Sequence, residues 1–116
     1  RSCSFLFSRV LPSLPRKSRE WHRRAAQLGY VQAVGVEVAA HNVQFNLIAQ
    51  NYVESEDYYP PELMAKESFV KSLKRQVPAG RLGTQREDAY FALFLAGDES
   101  GFFAGQGIPL SGGWAQ

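Results

Sequence analysis

An α/β fold with a parallel sheet is predicted for this 116-residue chain, as the C-terminal portion of a larger sheet and incomplete as a domain by itself. Three observations predict it. A helical stripe begins near Arg24 and leads at once into an alternating apolar strand. Two helical stretches then separate that strand from a second short one, a spacing that calls for a parallel, right-handed crossover. Both strands read as buried, and a two-stranded parallel sheet with buried faces is stable only within something larger. The predicted order is helix, strand, helix, helix, strand.

Each element has its own signal. From Arg24, Leu28, Val31, Gly35 and Val38 recur at helical spacing. Ala33, Gly35 and Ala39 leave that helix narrow enough for close approach, and Asn42 suits a left-handed residue near its end. Residues 42–50 alternate at Val43, Phe45 and Leu47 and turn apolar at Ile48 and Ala49, a strand buried on both faces at its end. Residues 51–61 are a loop closing on two prolines. Residues 62–76 form a helix with Leu63, Phe69, Val70 and Leu73 inward, stopped by Pro78. Thr84 and Glu87 make a capping box that opens helix 85–96. That helix is apolar nearly all round, which predicts burial, and Gly97 is its expected cap. Residues 106–110 form the last strand, ending before Gly112 and Gly113.

Residues 1–23 have a different texture. The first 24 residues hold seven of the 13 basic groups against one acid, Glu20, so the remainder carries a net charge of −4. The overall charge of +2 is therefore a property of one end and no argument for nucleic acid. Two accounts fit this segment. A shifted reading frame or another exon joined near Arg24 explains the abrupt change, and an Arg- and Ser-rich targeting segment is the alternative. The chain accordingly divides into an atypical basic segment, 1–23, and a body, 24–116.

Composition excludes several classes. Forty-five per cent of residues are hydrophobic, which argues against disorder. No apolar run has the length of a membrane span. The lone Cys3 cannot form an internal disulfide and fits a reducing, cytoplasmic setting. The basic run around Trp21 offers one aromatic and no stacking platform, so nucleic acid is not an expected partner. His22 and His41 lack a second cluster at ligand spacing, and the acids Glu54, Glu56 and Asp57 read as a solvated loop, so no metal is expected.

The run Arg81-Leu-Gly-Thr-Gln-Arg-Glu87, the apolar helix after it, Gly105-Gln106 and a strand closing on Gly112-Gly113 resemble the C-terminal part of short-chain dehydrogenases/reductases. The resemblance covers about residues 24–116 and implies part of a Rossmann-type sheet whose nucleotide loop lies far upstream. Ordinary members follow the penultimate strand with Pro-Gly, beside the nicotinamide. Here Gln50-Asn51 stands there and runs on through Tyr52 to Pro60, which looks like the halohydrin dehalogenase branch, although that branch usually keeps a proline where Gln50 stands. That branch does without a nicotinamide cofactor and closes a haloalcohol to an epoxide and halide. The resemblance places Asn51, Tyr52 and Val53 at the halide turn and Tyr59 at its aromatic wall. An aromatic loop packed on its own domain is the alternative.

The family's catalytic serine, tyrosine and basic residue are matched only in part. Arg24 stands at the basic position, and Ser8 falls about where the serine belongs. Four residues before Arg24, where the tyrosine belongs, is Glu20, and no tyrosine of the chain has Lys or Arg four residues on. Gly105 and Gly107 precede a strand, whereas a dinucleotide fingerprint opens a helix. The expectation is an incomplete dehalogenase-like protein without turnover of its own and without a cofactor. The alternatives are part of an NAD(P)-dependent oxidoreductase and a non-enzymatic oligomerisation module. A small molecule is the expected substrate of a complete form. Helix faces 24–40 and 85–96, lacking the rest of a sheet, are expected to bind a second copy or a complementary chain.

Overall fold

The computed structural model describes the backbone of residues 3–9 and 17–114, and the side chains of residues 25–114. Three parallel strands form its sheet: β1 (Cys3–Arg9), β2 (Val43–Gln50) and β3 (Gly107–Leu110). They lie in the order β1-β2-β3. Helix α1 (Lys17–Ala39) connects β1 to β2, and α2 (Pro61–Met64), α3 (Glu67–Gln76) and α4 (Gln85–Ala96) intervene before β3. The fold class read from the sequence is the one found.

The sheet is one strand wider than the sequence predicts. The short apolar run Phe5–Phe7 is long enough to start a strand, but nothing after it continues the period, so the sequence leaves it outside the predicted order. Pairing makes it one: Cys3 lies beside Val43 and each following residue beside its counterpart, up to Arg9 beside Ala49. Helix α1 also begins seven residues before Arg24 and crosses the change in composition without a break. The predicted helix 62–76 is divided in two. Ala65 closes α2 by donating to the Pro61 carbonyl, and extended Lys66 restarts the chain as α3.

Strand β2 lies at the centre and takes its polarity from its neighbours. Phe45 and Leu47 turn toward α1, where Val31, half-buried Val34 and half-buried Val38 complete the apolar core. The alternate residues Gln44 and Asn46 are buried and polar. Their amides are satisfied by the chain that follows α4. Gln44 Nε2 donates to the Ser100 carbonyl. Asn46 Nδ2 donates to the Phe103 carbonyl at 3.1 Å, and its Oδ1 accepts from the Gln106 amide at 3.0 Å. Burial on both faces, expected at the end of the strand, runs instead from Gln44 to Ile48, while Ala49 is exposed. These two amides therefore fasten residues 100–106 across the sheet.

Helix α4 departs from its predicted burial. Leu95 is fully buried, but Tyr90, Leu93 and Phe94 are exposed. An all-round apolar surface reports a helix meant to be enclosed, and among the described residues only one side of it is covered. Its N-terminus is as predicted: the Glu87 amide donates to Thr84 Oγ1 at 3.1 Å and Glu87 Oε2 accepts from the Thr84 amide at 2.8 Å. Gly97 caps the other end with an extended backbone, its amide donating to the Phe94 carbonyl. Asn42 takes the left-handed conformation predicted for it, φ 58°. No helix among the described residues is long and apolar enough to cross a membrane.

Candidate functional site

A parallel sheet points its strand carbonyl ends one way, and ligands of open α/β sheets lie beyond those ends. A cleft of about 320 Å³ opens there. Its walls are the residues immediately after β2 (Asn51, Tyr52, Val53), those ending β3 (Leu110, Ser111, Gly112), and the turn into α4 (Ala79, Arg81, Gly83, Thr84, Glu87). The two strand ends are tied together by the Asn51 amide, which donates to the Leu110 carbonyl at 3.0 Å.

The Asn51–Val53 turn has an unusual backbone. Tyr52 sits at φ 57°, a left-handed conformation uncommon outside glycine and asparagine. Asn51 stabilises it by accepting the Tyr52 amide on Oδ1 at 3.0 Å. The turn is then clamped to the third wall. Gly83 donates to the Tyr52 carbonyl at 2.8 Å and Glu54 donates to the Gly83 carbonyl at 2.8 Å, a parallel bridge. Glu54 Oε1 in turn accepts from the Gln85 amide at 3.1 Å, adding a second acceptor at the start of α4.

Tyr52 is the centre of an aromatic group. Its ring stacks on Tyr59, with centroids 6.4 Å apart and planes at 27°. Trp114 meets it edge-on at 6.1 Å. Behind it, Tyr59 is buried and touches Phe69 at 6.0 Å. Burial, then the neighbouring Tyr52 phenol, push the Tyr59 hydroxyl up to about 12, partly offset by a backbone hydrogen bond from Tyr52. Burial raises the Tyr52 phenol as well. Neither phenol is placed to act as a base near neutral pH.

The charged wall is self-contained. Arg81 grips Glu87 with two parallel bonds, Nη2 to Oε1 at 2.6 Å and Nη1 to Oε2 at 2.9 Å. Arg81 foremost, and the Thr84 amide next, hold the Glu87 carboxyl down to about 2. The cleft thus contains a carboxylate that is ionised throughout the physiological range and already paired.

Of the residues singled out from sequence, Asn51, Tyr52 and Val53 come together on the cleft, and Tyr59 supports Tyr52 from behind. Arg24 falls within α1 and Ser8 within β1, beside Ile48 in register. The side chains of both lie outside the described residues, as does that of Glu20. Sequence reasoning did not assign Arg81, Ser111 or Gly112 to the site. The one available signal was position, since each follows a strand or precedes a helix at the end of the sheet where ligands bind. Among the described residues, no group of three or more His, Cys, Asp or Glu side chains converges as a metal site would require.

Comparison with known proteins agrees with this architecture. Residues 21–115 match a family model described as enoyl-(acyl carrier protein) reductase. An acetoacetyl-CoA reductase of Shinella zoogloeoides is 36% identical over 91 residues, covering 78% of this chain and 36% of that protein. A 3-oxoacyl-(acyl-carrier-protein) reductase of Chlamydia muridarum is 33% identical, covering 79% of this chain and 36% of its own length. A solved structure titled "Dehalogenation enzyme" superposes with a TM-score of 0.85 at 32% identity, over 97% of this chain and 47% of that one. The TT0495 protein of Thermus thermophilus superposes at 0.74 with 26% identity, over 93% of this chain and 46% of its own. The chain thus spans little more than a third of these curated relatives and under half of these solved chains.

Proposed function

This chain belongs to the short-chain dehydrogenase/reductase family, and on that premise we propose that it forms the halide-binding side of a site that closes a vicinal haloalcohol to an epoxide. The observation that carries this reading is the Asn51-Tyr52-Val53 turn at the carboxyl end of the central strand. Its left-handed Tyr52 lines the cleft directly after Gln50-Asn51, which stand where ordinary members of the family have Pro-Gly.

A halide is a large, weakly hydrated anion. It suits an apolar lining with a few N–H donors and the positive edges of aromatic rings. Asn51 Oδ1 is committed to the Tyr52 amide, which leaves Nδ2 as the donor that side chain offers. Val53 and Leu110 supply apolar surface, and Arg81 adds positive charge balanced by Glu87. In the proposed reaction the hydroxyl oxygen bonds to the neighbouring carbon, the carbon–halogen bond breaks, and halide leaves with its electron pair toward this turn. The hydroxyl proton needs a base. In the family that is the tyrosine four residues before the basic residue, and before Arg24 that position holds Glu20. The expected behaviour of the chain is halide binding without turnover.

The curated reductases at 36% and 33% identity favour a second reading, a share of an NAD(P)-dependent reductase site. The nicotinamide would then border the end of β2. The Tyr52 ring, packed against Tyr59 and Trp114, stands at that border and favours a single halide ion over a second flat ring. Calorimetric titration of the chain with sodium bromide and, separately, with NADPH decides between them. Saturable bromide binding that Asn51→Ala weakens supports haloalcohol chemistry. Saturable NADPH binding without a bromide response assigns the chain to the reductases.

A further inference from the structure

Tyr52 is held at its outer end by a residue of a different element. Its hydroxyl donates to Gln76 Oε1 at 2.6 Å. Gln76 closes α3, and its Nε2 donates to Ser72 Oγ at 3.0 Å, one turn earlier on the same helix. The two ends of the carboxamide thus have separate duties. The nitrogen is fixed by Ser72, so the oxygen is aimed at Tyr52. Because Tyr52 has a left-handed backbone and lines the cleft, its ring is set by the Tyr59 stack, the Trp114 edge and this hydroxyl contact. Stacking allows a ring to slide in its own plane. A hydrogen bond at the far tip does not.

We infer that Gln76 is a positioning residue: it fixes the Tyr52 ring over the cleft and thereby sets the size of the leaving group accepted there. The size selection rests on the haloalcohol reading; the positioning itself does not. Gln76 is not among the residues lining the cleft and acts through Tyr52. Helix α3 is the support, and Ser72 supplies the directionality.

Two readouts on the full chain test this. The first is 19F NMR of protein carrying 3-fluorotyrosine, with Tyr52→Phe assigning the resonance. Gln76→Leu should shift and narrow the Tyr52 signal, and Gln76→Glu, which keeps an acceptor, should restore it. The second is the ratio of iodide to chloride affinity. Loss of one exposed hydrogen bond should change that ratio by about three-fold in Gln76→Leu, by a similar factor in Tyr52→Phe, and by no more in the double variant. An unchanged Tyr52 resonance in Gln76→Leu overturns the inference. A shifted resonance with an unchanged halide ratio overturns the size selection. A shifted resonance with no halide response from any protein, the parent included, overturns the haloalcohol reading and leaves the positioning supported.

Discussion

Gly35 of α1 and Gly105 of the segment before β3 pack backbone against backbone. A Cβ placed on Gly35 would lie 2.3 Å from the Gly105 Cα and 3.0 Å from the Phe45 carbonyl oxygen. Gly105 holds this contact at φ 67° while its amide donates to that same Phe45 carbonyl at 2.9 Å. One helix, the central strand and the approach to the last strand therefore meet at a point where no side chain fits. Gly35→Ala forces backbone to move and should lower stability by about 1–3 kcal/mol. The midpoint of urea unfolding measures it, and an unchanged midpoint would refute the contact.

The Arg81–Glu87 pair sets an acid limit on the turn that forms the third wall of the cleft. The Glu87 carboxyl is held below its ordinary 4.5, at about 2. A carboxyl depressed in the folded state contributes stability that is complete above the unfolded value and lost as pH falls through the folded one. Acid unfolding should therefore steepen between about 4.5 and 2. Glu87→Gln should flatten that slope, and added salt should weaken it because the pair is exposed. Equal slopes in parent and variant would show that the pair is not formed in solution.

Tyr59 sets the corresponding alkaline limit. Its phenol is raised from 10.0 to about 12, mainly by burial. A group whose folded value is raised contributes stability that is complete below the unfolded value and lost as pH rises to the folded one. Stability should fall across 10 to 12, and Tyr59→Phe should remove that part of the fall. Ultraviolet titration of the phenolates should find a late ionisation step at about 12 that is absent in the variant. The same titration curve in parent and Tyr59→Phe above 10 would place Tyr59 at the surface.

Two helix faces carry exposed apolar side chains: Tyr30 and Val36 on α1, Tyr90 and Leu93 on α4. Each large apolar group left in water forgoes roughly 1.5–3 kcal/mol. The chain is accordingly expected to pair with itself or with a complementary chain. Sedimentation should show species above 13.0 kDa at micromolar concentration, and replacing Val36 and Leu93 by Lys should dissolve them. A compact parent species at that mass would contradict the expectation.

Local chemistry was legible in the sequence where it is self-contained. Thr84 and Glu87 are three residues apart and close their own capping box, and Asn42 takes its left-handed turn without outside help. What needs a distant partner was not legible. Residues 3–9 are fixed as a strand by β2 lying beside them, and the need for glycine at Gly35 comes from the Gly105 backbone seventy residues later. Gln44 and Asn46 look like the polar side of a strand and are buried, because carbonyls some sixty residues away complete them. The site divides the same way. Asn51, Tyr52 and Val53 form one contiguous turn, so a reading along the chain takes them as a unit. The contribution of Gln76 depends on α3 ending beside Tyr52, which no spacing in the chain announces.

The proposed function depends on a halide entering the cleft between the ends of β2 and β3. Crystals grown in sodium bromide, with diffraction measured at the bromine absorption edge, test it most directly. An anomalous peak is expected against the Asn51-Tyr52-Val53 turn, facing Leu110–Gly112, and it should disappear in Asn51→Ala. Bromide peaks confined to the outer surface, with the cleft empty in the parent protein, would contradict it.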